Sequence, residues 1–238
     1  MKKIFLCLAL GALFFNSCNS DDDDETVQVD IETQNSYDDL AAEKYLEEHY
    51  FDARGNVVAF DEDDTSDDNN TKLADLAVTL PSGVIYVVRP AAQPEPGTVI
   101  GDTDIITLML SSTTYVATKT DDVVSFSSAS TFMNTITGTG VPVVDPAFYY
   151  VKQSVLDDAT TDAAKLRSYY EIEGLREGLQ YFKAYDISDE ADYNLQGVII
   201  VPSRAAFARD SHYNYTGLSY TDRSFVFNFQ VYKTAPRS

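Results

Sequence analysis

The segment from Phe225 to Tyr232 constrains the fold of this chain more than any other. Phe225, Phe227, Phe229 and Val231 alternate with Val226, Asn228, Gln230 and Tyr232, which is the period-two pattern of a strand with one buried face and one partly wet face. Such a strand needs neighbours, because its backbone donors and acceptors must be paired. The chain supplies candidates in β-branched and aromatic runs at Gly83–Val88, Ile105–Leu110, Val123–Phe126, Phe148–Val151 and Val198–Val201, and antiparallel pairing is the expected arrangement. Leu175, Leu179, Phe182 and Tyr185, just after Gly174, recur at helical spacing among them. One helix against one antiparallel sheet predicts an α+β domain over residues 81–238. No internal repeat and no further domain boundary is visible after residue 81.

Ahead of that domain, Ser36 and Asp39 approximate a capping box, and Ala42, Tyr45, Leu46 and His49 share one helical face. Gly55-Asn56 makes a turn before the strand-like Val57–Phe60, and Asp61–Asn70 is a polar loop. Residues 37–80 therefore read as a small N-terminal helical extension packed on the main domain.

The first residues carry an address. Lys2 and Lys3 precede an apolar run from Ile4 to Phe15, and Asn16-Ser17-Cys18 follows, the layout of an export signal over residues 1–17. A membrane span needs about twenty apolar residues, and this run is shorter. It ends at a cysteine, as the signals of bacterial lipoproteins do, and that similarity makes Cys18 the lipidation site and residues 18–36 a lipidated acidic tether. The other cysteine, Cys7, falls in the signal, so the exported chain has no thiol pair to oxidise. Ser20-Asp21-Asp22-Asp23-Asp24 resembles the acidic tag that directs lipoproteins of the Bacteroidota to the outside of the outer membrane. The resemblance implies an outer-membrane lipoprotein at the cell surface, or otherwise facing the periplasm, touching the membrane through its lipid.

The formal net charge is −21, which opposes nucleic acid as a partner. His49 and His212 are the only histidines, too few for a three-histidine metal centre. The Asp61–Lys72 loop has oxygen ligands at calcium-loop spacing, but Ser66 stands where the turn glycine belongs and Lys72 where the bidentate carboxylate belongs. No metal and no cofactor is expected. The chain has no Gly-x-Ser-x-Gly elbow, no glycine-rich phosphate loop and no catalytic thiol. With 16 Tyr and 13 Phe, a glycan-binding surface module is a further reading, though Trp, the largest aromatic platform, is absent.

Four segments in order carry a resemblance: Gly101-Asp102; Ile172-Glu173-Gly174-Leu175-Arg176-Glu177-Gly178-Leu179; Val201-Pro202 leading to Ala206-Phe207-Ala208; and Val226-Phe227-Asn228-Phe229. Together they resemble FKBP-type peptidyl-prolyl cis-trans isomerases. That family has a glycine-aspartate step into a central strand, an Ile-x-Gly-Trp-x-x-Gly-Leu helix, an Ile-Pro segment leading to Ala-Tyr-Gly, and a closing Val-Phe-x-Val strand. The resemblance implies a curved antiparallel sheet wrapped around a short helix, with an apolar pocket for a proline ring. It assigns the pocket to Phe126, Ile172, Leu175, Phe207 and Phe227, with Leu108 and Leu218 at its margin, and proline-containing polypeptides as partners.

Isomerisation needs neither nucleophile nor proton transfer. The barrier is amide resonance, about 18 to 20 kcal/mol, and a dry pocket favours the twisted amide over the planar one. The chain departs from the family at four positions: Leu175 replaces the floor Trp, Phe207 the hydroxyl-bearing Tyr, Ser127 an Asp and Ala208 a Gly. Residues 128–170 are a longer insertion than the family loop. Two lost contacts of about 1 kcal/mol each predict turnover slowed roughly ten- to hundredfold. The leading expectation is an isomerase assisting the folding of extracytoplasmic proteins; the alternative is a non-catalytic, peptide-binding relative.

Overall fold

A computed structural model describes residues 28–237. The export signal, Cys18 and the acidic run Asp21–Glu25 lie outside the described residues.

The chain opens on helix α1, Ile31–Glu47, well before Ser36. Its start is set by Asp30, whose carboxylate accepts from the Thr33 backbone N–H at 2.9 Å and the Thr33 hydroxyl at 2.7 Å. The hairpin β1 (His49–Phe51) and β2 (Val57–Ala59) follows. Then come β3 (Ala77–Thr79), β4 (Ile85–Val88), the two-residue β5 (Thr98–Val99), and the long hairpin β6 (Ile105–Thr120) and β7 (Val123–Asn134). Asp121 and Asp122, at φ 48° and 66°, make its two-residue turn. The remaining elements are β8 (Val143–Val144), α2 (Gln153–Asp157), α3 (Glu173–Leu179), β9 (Lys183–Ala184), β10 (Gly197–Val201) and β11 (Arg223–Ala235).

The main sheet runs β3-β4-β10-β11-β6-β7, with β8 also paired to β6, and its pairings are antiparallel. The chain is therefore α+β, with a mostly antiparallel sheet and few helices. β11 is the spine: Phe227 lies between Ile199 of β10 and Ser112 of β6, and Phe229 between Gly197 and Leu110.

The alternation in β11 predicts a partly wet second face, yet every residue from Arg223 to Tyr232 is buried. One face meets Ile199, Val201, Leu108, Leu110, Ile172, Leu175 and Leu179. The other, through Val226, Val198, Ile200, Ile85 and Val87, is covered by Ala42 and Leu46 of α1 and by Leu73. The polar residues of that second face bind backbone instead of water. Asn228 Nδ2 donates to the carbonyls of Gly55 and Gly197, and Gln230 Oε1 accepts from Asn194 N–H at 2.7 Å.

Two expected elements take other forms. Phe148–Val151 is not a strand: Tyr149 and Tyr150 N–H both donate to Pro146 O, which curls the segment into a turn with Phe148, Tyr149 and Val151 buried. The helix ends at Leu179 rather than running to Tyr185, because Lys183–Ala184 pairs with Thr98–Val99. Phe182 still enters the core, and Tyr185 N–H donates to Val231 O at 2.9 Å.

Candidate functional site

Helix α3 reaches the sheet through its glycines. A Cβ on Gly174 would stand 2.6 Å from Val201 Cγ1 and 2.8 Å from Val84 Cγ2, and one on Gly178 would stand 2.8 Å from Ile199 Cγ2. Both positions must lack a side chain for α3 to rest on β10 at this separation. The intervening Leu175 and the following Leu179 then point fully into the core. Ile172, just before the helix, is fixed by its N–H donating to Phe148 O at 2.8 Å.

Of the residues assigned to a proline pocket, Ile172, Leu175, Phe207 and Phe227 come together, with Leu108, in one apolar core. Phe126 does not join them. It lies on β7 against the opposite face of the sheet, stacked on Tyr115 with ring centroids 5.0 Å apart and edge-on to Tyr45 of α1 at 5.9 Å. The register explains this: Phe126 pairs with Ala117, beyond the bulge at Thr114/Val116, on the stretch of the hairpin that α1 covers. Leu218 is half-buried on the loop before β11 and is outside the core.

The site is filled. Ile172, Leu175 and Phe227 are 0% exposed and Phe207 2%. Phe132 sits edge-on to Phe148 at 5.2 Å, to Phe225 at 5.2 Å, to Tyr220 at 5.6 Å and to Phe227 at 6.0 Å. Phe148, delivered by the insertion, also stacks near Phe227 at 6.3 Å. Phe207, His212 and Tyr220 form a three-ring cluster, with centroids 5.0 Å apart for Phe207 and His212, 5.8 Å for Phe207 and Tyr220, and 5.4 Å for His212 and Tyr220. Phe132, Phe148, Tyr215 and Tyr220 are the residues that the sequence reading missed. For Phe148, Tyr215 and Tyr220 the signal is the aromatic density of 148–150 and 213–220, which marks burial without revealing what it covers, whereas Phe132 stands alone among Ser, Thr and Ala on β7.

The polar groups around this core are occupied. Tyr149, Tyr215 and Tyr185 hydroxyls donate to the carbonyls of Gly101, Tyr170 and Ala92 at 2.7 to 2.8 Å, and burial raises all three phenols above their ordinary pKa. His212 Nε2 accepts the Tyr220 N–H at 2.9 Å, so Nδ1 is the protonated nitrogen facing Asp210 O at 2.8 Å. Glu171, buried beneath α3, is held by Arg167 at 2.9 Å, Arg176 at 2.7 Å and the Val151 N–H at 2.9 Å. The Ser127 hydroxyl donates to Val116 O at 3.0 Å and accepts from Thr118 at 3.1 Å. Ala208, where the resembling family has glycine, keeps a left-handed backbone at φ 49°.

Among the described residues no group of His, Cys, Asp or Glu is placed to hold a metal ion, and no helix is long and apolar enough to cross a membrane. A scan against protein-family models and a search of curated proteins find no match to this chain.

Proposed function

We propose that this chain is an exported lipoprotein carrying a non-catalytic, FKBP-like domain that binds peptides. The observation that carries the loss of catalysis is the burial of Ile172, Leu175, Phe207 and Phe227, each at most 2% exposed. Apolar walls that favour a twisted amide are useful only if a proline ring reaches them, and here protein side chains occupy that space. Support for the FKBP-like part comes from the glycine face of α3 on β10 and from β11 lying beside β10, where three of the four motifs fall or begin; Gly101-Asp102 lies in the turn before β6. Against a glycan platform, the rings of Phe132, Phe148, Tyr149 and Tyr220 are buried, although Tyr181 and Tyr213 stay exposed.

A filled pocket makes proline dispensable to binding. Isothermal titration of the mature protein with an extended peptide, and with the same peptide carrying Ala for Pro, is expected to give affinities within about twofold. A proline-dependent loss would reinstate the pocket. The lipid anchor is proposed at Cys18, and Cys18→Ala is expected to move the protein from the membrane to the soluble fraction; retention after carbonate washing would locate the anchor elsewhere.

A further inference from the structure

The loop from Asp61 to Asp68 carries six carboxylates, Asp61, Glu62, Asp63, Asp64, Asp67 and Asp68, and no Lys or Arg. Lys72, the next cation along the chain, is paired with Glu47 at 2.8 Å. Five of the six carboxylates are exposed, but Asp67 is buried, at 5% exposure. Its Oδ2 accepts the Asp61 N–H across the loop at 2.9 Å. Its Oδ1 is closed off from solvent and has no hydrogen-bond partner among the described residues. An oxygen that has lost its water and gained no donor is strongly unfavourable until a cation or a proton meets it.

The backbone around that oxygen winds in short turns. Asp64 N–H donates to Asp61 O at 2.9 Å, Asp67 N–H to Asp64 O at 3.4 Å and Asn70 N–H to Asp67 O at 2.8 Å. Successive three-residue turns return every third residue to one side, so Asp61, Asp64, Asp67 and Asn70 form a row. The Tyr50 hydroxyl lies beside it, its pKa raised by desolvation and then by the charges of Asp67, Asp64 and Asp52. We propose that this loop binds one calcium ion, with Asp67 Oδ1 as the buried ligand and the exposed carboxylates of Asp61 and Asp64 drawn in to complete an oxygen shell. The loop offers carboxylate, hydroxyl and carbonyl oxygens but no imidazole or thiolate, which suits a hard cation. Calcium accepts an irregular shell of about six to eight oxygens, where magnesium demands a near-ideal octahedron. The site is not an EF-hand, whose glycine and last carboxylate are replaced here by Ser66 and Lys72; the buried Asp67 takes the central part. The carboxylates do not converge on a common centre without the ion, so binding works against their repulsion and is weak, about 0.1 to 1 mM, as in extracellular calcium modules. The loop joins β2 to Leu73, which lies in the core under α1, so a bound ion stiffens the N-terminal extension.

The inference stands apart from the peptide-binding reading, and its test uses the mature chain with Cys18→Ala, titrated with calcium chloride by calorimetry. Calcium is expected to bind saturably and to raise the thermal midpoint, and magnesium at the same concentration to do neither. Asp67→Asn keeps the shape of the side chain while removing its charge, and should weaken calcium binding at least about tenfold. Asp68→Asn, exposed and off the row, should change it less than about twofold. The acidic run Asp21–Asp24 is common to both variants, so the difference between them reports the loop alone. Terbium, a luminescent stand-in for calcium, is excited through tyrosine because the chain has no Trp, and Tyr50→Phe should remove most of its emission. Should Asp67→Asn fail to fold, Asp64→Asn, on the exposed part of the row, carries the same comparison. Equal weakening by Asp68→Asn and by the row variant means diffuse charge attraction rather than a site. That result, or no saturable binding at about 10 mM calcium, overturns the proposal.

Discussion

At the scale of single residues, the polar side chains that matter most to this fold are those that tie its layers together. Asp38 of α1 is wholly buried, accepting from the Ser203 N–H at 2.8 Å and from Gln34 Nε2 at 3.0 Å. Burial raises its pKa above the ordinary 3.8, opposed by the hydrogen bonds to Ser203 and Gln34 and by nearby Arg204. A carboxyl with a raised folded pKa stabilises the fold fully below 3.8 and loses that contribution as pH rises through the raised value. Thermal midpoints of wild type and Asp38→Asn, compared across pH, should therefore diverge. The wild type is expected to fall relative to the variant as pH climbs above 3.8, and a constant difference would show that Asp38 titrates as it does in the unfolded chain. Helical spacing places Asp38 nearer than Asp39 to the face of Ala42, Tyr45 and His49, but a carboxylate there reads as solvated until its partner is known. Its burial depends on Ser203, a residue far along the chain.

At the scale of elements, helix α3 was legible because glycine spacing and apolar spacing agree there. Gly174 and Gly178 lie on the face against β10, with Leu175 and Leu179 in the core. Gly178→Ala would place a methyl 2.8 Å from Ile199 Cγ2 inside a packed layer, and overpacking of that kind costs about 1 to 3 kcal/mol. Urea denaturation should report a loss of that size, whereas Glu173→Ala, whose side chain is 84% exposed, should change stability by less than about 0.5 kcal/mol. A Gly178→Ala protein as stable as wild type would mean that α3 does not rest on β10 as described. The β11 strand was legible for its period but not for its second face. Val226 and Tyr232 are apolar on a face that also carries Asn228 and Gln230. Alternation cannot tell that such a face is roofed by α1, since the roof lies nearly two hundred residues away in sequence. Phe148–Val151 failed as a strand for a local reason: Pro146 starts a turn that β-branched and aromatic composition alone does not reveal.

At the scale of the whole molecule, the sheet is a shared wall between two cores. α3 and the insertion fill one side and α1 the other. This arrangement separates Phe126 from Phe227, which a single-sided sheet would have placed around one pocket. It also closes the apolar site, because Phe132 and Phe148, both from the 128–170 insertion and the first of them on β7, occupy the space beside Phe227. The components of that site were readable in order along the chain, but their accessibility depended on rings contributed from segments with no motif of their own. The closure leaves no space beside these side chains for a proline ring. The most direct test of that closure is the rate of cis-trans isomerisation of a proline peptide at high protein concentration, measured for wild type and for a Leu175→Trp/Phe207→Tyr variant, which introduces the side chains that FKBP-type isomerases carry at the positions the motifs align. The spontaneous rate is expected in both, because the substituted side chains remain inside a filled core. Acceleration above the spontaneous rate by the wild-type protein would contradict it.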